Sequence, residues 1–439
     1  MKQITLCFLA FLWGILPLSA QGPTRSLSLE EAVSMAQQNH YEILKAEAQI
    51  AAARAQYAQS QGVFLPRATL SATGISTNNP LQAFGILLLQ ERVAAEDFNP
   101  NTLNDPGSIQ NFTTSIDVQQ PILNFDGFRK REAARLQVDA KTQQKDRARQ
   151  QIAFMTKQAY YQLALAQQKT IVLTQALEVA KAYQKLTQDN LDAGYVQRAD
   201  LLAVQLRVHQ LEDQLTEATH NVQSAKDFLA FLLNTEDDLS QLTLTDSLTM
   251  PAAPTEAEPL TEVSPQRPDL RAYRIGIAAT EQLLKAEKQQ FLPSLNAFGS
   301  FAFNDEIPFG TQANNYLIGM SLQWKLFQGG ERIHGIRKIQ ADKDYLQIQH
   351  DQAIAQGNLD IRQALRKQQL AQRQVQTADY AVAQAEEALR VRQNRYTQGL
   401  EKTTDLLTSE AKLAETKLHK LLAHYQYLIA SAELEFLGQ

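Results

Sequence analysis

The chain carries the same short motifs twice. Phe64-Leu65-Pro66 returns as Phe291-Leu292-Pro293, and Gly194 with Asp200-Leu201-Leu202 returns as Gly399 with Asp405-Leu406-Leu407. From 64 to 291 is 227 positions and from 194 to 399 is 205, so the copies hold register over long stretches and differ by a length change between the two blocks. A repeat this long exceeds the roughly 20–50 residues of solenoid units and predicts two halves that fold alike.

The opening residues set the compartment. Lys2 precedes the apolar run Ile4 to Leu18, and Ser19-Ala20 offers small residues for cleavage, so residues 1–20 read as a secretory signal peptide. Cys7, the only cysteine, lies inside that run, which leaves the mature chain without a disulfide or a cysteine-based site. A net charge of −5 gives no basic signal for nucleic acid. No second apolar run approaches the length of a spanning helix, so any membrane crossing falls to strands of about 9–11 alternating residues.

Two stretches predict very long helices. Phe128 to Ala193 contains no Gly or Pro, and Glu331 to Gln398 is interrupted only by Gly335 and Gly357. Helices of roughly 100 Å must lie against others along their length. Ala159, Leu163, Ala166, Thr170, Leu173, Leu177 and Ala180 step by fours and threes, a coiled-coil seam, and Val375, Ala378, Val382, Ala385 and Leu389 continue it at the 205 offset. Gly194 and Gly399 end these helices, and returning helices begin near Asp200 and Asp405, whose carboxylates suit free N–H groups.

Four stretches change period. Residues 66–76, 112–122, 293–304 and 315–324 alternate polar and apolar side chains, as in Tyr316, Ile318, Met320, Leu322 and Trp324 against Gly319, Ser321 and Gln323. Four membrane strands cannot close a barrel alone, so several chains must pool them. Tyr316, Trp324, Phe125 and Phe327 fall where interfacial aromatics belong. The segment 77–110 between the first pair holds most of the length change, and its Pro80, Phe84, Phe98, Pro100 and Pro106 predict an ordered, plug-like cover. Residues 21–233 form the first repeat, with its hairpin tip at 194–200. A proline-rich acidic linker, 234–267, is expected to wrap the helices. The second repeat, 268–439, has its tip at 399–405.

With these features in place, the chain resembles the TolC-like outer-membrane efflux protein family over nearly its whole mature length. The residues that carry the likeness are Leu27-Ser28-Leu29-Glu30-Glu31-Ala32, both Phe-Leu-Pro motifs, Asp126-Gly127, Gln328-Gly329-Gly330, and Tyr396, Gly399 and Asp405-Leu406-Leu407. The resemblance implies a mainly α fold with a transmembrane β portion. It also implies a homotrimer that joins a twelve-stranded β-barrel in outer-membrane lipid to a twelve-helix periplasmic α-barrel. It further implies a passive channel-tunnel for small molecules or proteins, fed by a periplasmic adaptor and an inner-membrane transporter, without cofactor, metal or catalytic residues.

By the same likeness the periplasmic gate falls at Asp200, Tyr396, Glu401, Asp405 and Thr408. Tip turns and adaptor contacts fall at Gly194, Tyr195, Val196, Gly399 and Leu400. Asp200 and Tyr396 match a pair that helps hold the entrance shut, and Asp405 matches the first of two constricting aspartates. Thr408 stands in place of the second, and Glu401 in place of a gate-locking arginine. A ring of three Asp405 carboxylates favours cations. The competing reading is a periplasmic coiled-coil scaffold or adaptor without a pore, which has no use for the strands. HExxH, GxSxG, GxGxxG and Walker patterns are missing, and His419 and His424 are poorly spaced for one metal.

Overall fold

The structure, a computed structural model, describes residues 26–235, 242–246, 248 and 261–439. The expected signal peptide lies outside the described residues, as does much of the linker.

The elements follow the order β1 (Ser26–Leu27), α1 (Leu29–Asn39), α2 (Tyr41–Gln59), β2 (Arg67–Thr77), α3 (Pro80–Leu89), α4 (Pro100–Asn104), β3 (Ile109–Leu123), α5 (Phe125–Asp192) and α6 (Arg198–Leu233). They continue with β4 (Thr243–Leu244), α7 (Pro268–Gln289), β5 (Ser294–Asp305), β6 (Ala313–Gln323), α8 (Glu331–Thr397) and α9 (Thr403–Gly438). The breaker-free stretches are therefore the two longest helices, of 68 and 67 residues. The strands match their expected positions within a few residues. The main difference is β3, which begins at Ile109 and carries a bulge between Pro121 and Leu123, where proline has no N–H for the ladder.

The chain divides into two compact units that do not coincide with the two repeats. One comprises residues up to Ala36, Met155–Ala253 and Ala371–Ile429; the other comprises Gln37–Phe154, Pro254–Leu370 and Ala430–Gln439. Each unit draws on both repeats, because helices pack against helices and strands pair with strands from the opposite copy.

The first unit is helical. Leu173, Leu177, Ala180, Val208, Leu211, Ala218 and Ala414 form one buried cluster, so seam positions of α5 pack against α6 and α9. Val375 and Ala378 of α8 meet Ala423 and Tyr427 of α9 in the same manner. Full burial of a leucine such as Leu173 contributes about 1.5–3 kcal/mol. The described part of the linker straps onto these helices, as β4 pairs in parallel with β1 and Leu248 packs with Ala164 and Leu428. The Tyr160 hydroxyl fixes the strap, donating to Leu27 O at 2.9 Å and standing 3.1 Å from an Asp246 carboxylate oxygen.

The second unit is built on a four-stranded antiparallel sheet in the order β2-β3-β5-β6. Helices α2 and α7 precede its two strand pairs, and a Phe-Leu-Pro motif lies between each helix and the strand that follows. The motif has a physical role in both copies. Arg131 stands 5.8 Å from the Phe64 ring centroid, and Arg332 stands 4.8 Å from that of Phe291. The glycines after the strands act differently. Gly329 and Gly330 have positive φ in a turn, whereas Gly127 lies inside α5, where an added Cβ would meet Val63 Cγ1 at 2.2 Å.

Candidate functional site

Two regions hold the residues the sequence singles out, one in each unit. In the sheet, cross-strand register sorts the side chains into two faces. Leu70, Ile116, Phe301 and Tyr316 form one row, and Ala68, Val118, Gly299 and Ile318 the next. Side chains alternate along a strand, so the intervening rows face the other way. Those rows are Ser71, Ser115, Ala302 and Asn315, and Thr69, Asp117, Ser300 and Leu317. In these central rows one face is apolar across all four strands and the other is mainly polar, Leu317 excepted; toward the strand ends Phe298 and Ile75 also fall on the polar face, and Thr114, Gln120 and Asn314 on the apolar one. The apolar face is bare, Ile318 being 78% exposed. The backbone edges of β2 and β6 pair with nothing among the described residues. Near the helix junctions Trp324 is anchored by its Nε1, which donates to Phe291 O at 3.0 Å, while Phe327 and Phe128 lie exposed.

The segment between β2 and β3 is ordered, as its composition predicts. Helix α3 starts with Asn79 as N-cap, whose side-chain oxygen accepts from Gln82 N, and Pro80 at the first position. Gln90 then closes it down onto the polar face. Its Nε2 donates to Gln110 O at 2.8 Å and to Asn111 Oδ1 at 2.9 Å, and Asn111 Nδ2 in turn donates to Asn304 Oδ1 at 3.0 Å. Arg92 bridges the Gln90 side-chain oxygen and Glu306 of the β5–β6 turn. Nothing in the sequence pairs these residues, which are separated by as many as 214 positions.

The second region is the pair of hairpin tips. Gly194 and Gly399 have φ of +79° and +71°, and both close the same cap. Tyr195 N donates to Asn190 O and Gly194 N to Leu191 O; 205 positions on, Leu400 N donates to Arg395 O and Gly399 N to Tyr396 O. The duplication thus extends to individual hydrogen bonds. Tyr195 and Leu400 are exposed at the turns. Asp200 caps α6 in the expected way, its carboxylate accepting from Gln197 N at 3.1 Å. Asp405 occupies the matching first turn of α9 but faces a cation instead, 4.0 Å from Arg392.

The remaining residues of the expected gate are engaged within the chain. Tyr396 is buried, its hydroxyl 3.4 Å from Thr187 Oγ1 and 3.4 Å from Thr403 Oγ1, so its polar neighbours are two threonines while the Asp200 carboxylate serves the cap. Glu401 is clamped by two cations, with Arg392 Nη1 and Arg395 Nε each at 2.8 Å. Thr408 donates back to Thr404 O at 2.7 Å. Sequence reasoning missed the neighbouring pair of Arg207 and Glu410, joined at 3.0 Å between α6 and α9. It also missed Tyr183, which packs with Val204, Tyr396 and Leu406. Burial pushes the Tyr183 phenol up, and the Glu410 carboxylate and Tyr396 add to the shift. Its hydroxyl has no hydrogen-bond partner among the described residues. No group of histidine, cysteine or acidic residues suited to a metal occurs among the described residues.

The family model described as outer membrane efflux protein matches residues 32–235 and 260–438. No curated protein sequence matches the chain. The fold is similar to that of the CmeC outer membrane channel of Campylobacter jejuni, with 18% identity, a TM-score of 0.79, and coverage of 93% of this chain and 85% of that one. It is also similar to the outer membrane protein VceC of Vibrio cholerae, with 19% identity, a TM-score of 0.75, and coverage of 93% and 96%. The Neisseria gonorrhoeae MtrE outer membrane channel, solved in its open state, gives 16% identity, a TM-score of 0.71, and coverage of 93% and 88%.

Proposed function

Because this chain belongs to the outer membrane efflux protein family, we propose that it is a passive homotrimeric channel carrying solutes outward, each protomer giving four strands to one twelve-stranded barrel. Family membership places it in the outer membrane, extending into the periplasm. A periplasmic adaptor docks at the hairpin tips around Gly194, Tyr195, Val196, Gly399 and Leu400. An inner-membrane transporter supplies both substrate and energy.

The observation that carries this reading is the sheet, which has two edges unpaired among the described residues, one face apolar in its central rows and one mainly polar face. Open edges are not tolerated in lipid, so the sheet closes only with other copies, its apolar face against lipid and its polar face against water. A coiled-coil scaffold gives that face no role. At the other region the gate is formed by Asp200, Tyr396, Glu401, Asp405 and Thr408. Three Asp405 carboxylates around an axis attract cations, and the Arg392 beside each one moderates that field.

Planar-bilayer recording on the purified mature protein tests the reading. A small, cation-preferring conductance is expected, and Asp405→Ala raises it or removes its preference. A protein that stays soluble without detergent and never conducts contradicts the channel and leaves the scaffold.

A further inference from the structure

Helix α3 leaves an apolar groove beside the end of β2, lined by Ile75, Gln82, Gly85, Ile86, Leu88 and Leu89. Leu88 is 55% exposed. The groove adjoins an edge strand, so whatever pairs with β2 also reaches it. Within the same chain, the β5–β6 turn displays Ile307 and Phe309, the latter 74% exposed. The turn is rigid, because the Asp305 carboxylate accepts from Ile307 N and Gln312 N, and Phe309 holds φ at +59°. Through Glu306 and Arg92 it is drawn toward the side of the sheet that α3 covers.

The two features belong to opposite edges of the sheet. Strands β2 and β6 both span 11 residues. They run antiparallel across the sheet, so when β2 of one copy pairs with β6 of the next, the Thr77 end of the first meets the Ala313 end of the second. That places the neighbour's turn at the groove. We propose that Phe309 of one protomer seats in the groove between α3 and β2 of the adjacent protomer, a heterologous contact repeated around the ring that locks the outer rim of the barrel. The contact rests on the trimeric reading above and adds to it a second seam besides the backbone pairing. It also gives segment 78–108 a purpose, that of a socket held to the polar face by Gln90.

Disulfide trapping tests the contact, since the only native cysteine is Cys7 in the expected signal peptide. The double variant Leu88→Cys with Phe309→Cys is expected to give, after oxidation in outer membranes, a non-reducing ladder of linked chains ending at three. Each single variant stays at the size of one chain. No ladder from a protein of trimeric mass in detergent overturns the socket alone. So does a ladder from Phe309→Cys by itself, because the turns would then meet one another. A single-chain mass in detergent overturns the socket together with the trimer on which it rests.

Discussion

Arg207 Nε donates to Glu410 Oε2 at 3.0 Å, joining the returning helices of the two repeats near their tips. The Glu410 side chain is only 4% exposed, and among the described residues its ion-pair partner is Arg207. Removing one partner of such a pair strands a buried charge, at a cost of about 3–5 kcal/mol. Arg207→Met therefore lowers the thermal midpoint, and adding Glu410→Leu recovers much of the loss. A double variant no more stable than the single one contradicts this account of the pair.

Glu401 lies between two arginines at the second tip. Paired with Arg392 and Arg395, it leaves that cluster, counted with Asp405, without net charge. Glu401→Gln frees two cations, one of which, Arg392, stands 4.0 Å from Asp405. The reversal potential in a salt gradient shifts toward anions, in the same direction as for Asp405→Ala. An unchanged reversal potential removes Glu401 from the conduction path.

The acid limit of stability involves His40. This buried residue is the N-cap of α2, where its Nδ1 accepts from Glu42 N at 3.1 Å. Burial holds its imidazole below the usual value, so the unfolded chain takes up the proton first. The cap's contribution, about 1 kcal/mol, is full above pH of about 6.5 and declines from there as pH falls through the lowered folded value. His40→Asn keeps an acceptor that does not titrate. Denaturation at pH 5 and pH 7.5 should show a smaller acid loss in this variant than in the wild type.

Gly357 reverses the usual rule for helix interiors. Alanine for glycine in mid-helix normally gains about 1 kcal/mol. Here an added Cβ meets Val263 Cγ2 at 2.5 Å and Arg267 Nη1 at 2.7 Å, and Arg267 is held by two hydrogen bonds to Asp269. Overpacking of this kind costs about 1–3 kcal/mol, so Gly357→Ala lowers the melting temperature. A rise in melting temperature shows that the α7 lead-in gives way.

The sequence was legible where a local rule decides the outcome. Long breaker-free runs gave α5 and α8, period-two alternation gave the strands, and Gly194 and Gly399 gave the tip turns. Even the interruptions at Gly335 and Gly357 carried meaning, because each admits a side chain from the α7 region, Glu287 in one case and Val263 with Arg267 in the other. What stayed hidden depends on pairing across distance. No local pattern ties Arg207 to Glu410, Glu401 to two arginines upstream, or Gln90 to Asn111 and on to Asn304. The division into units also escaped reading, since it follows how like elements of the two repeats pack rather than the order of the chain.

The central claim is that one face of the sheet meets lipid and the other meets water, and β3 reads both. Single cysteines at Ser115, Ile116, Asp117 and Val118 can be challenged with a charged, membrane-impermeant thiol reagent in outer-membrane vesicles. Reaction at Ser115→Cys and Asp117→Cys, with Ile116→Cys and Val118→Cys protected, is the predicted result. Equal reaction at all four positions contradicts the barrel.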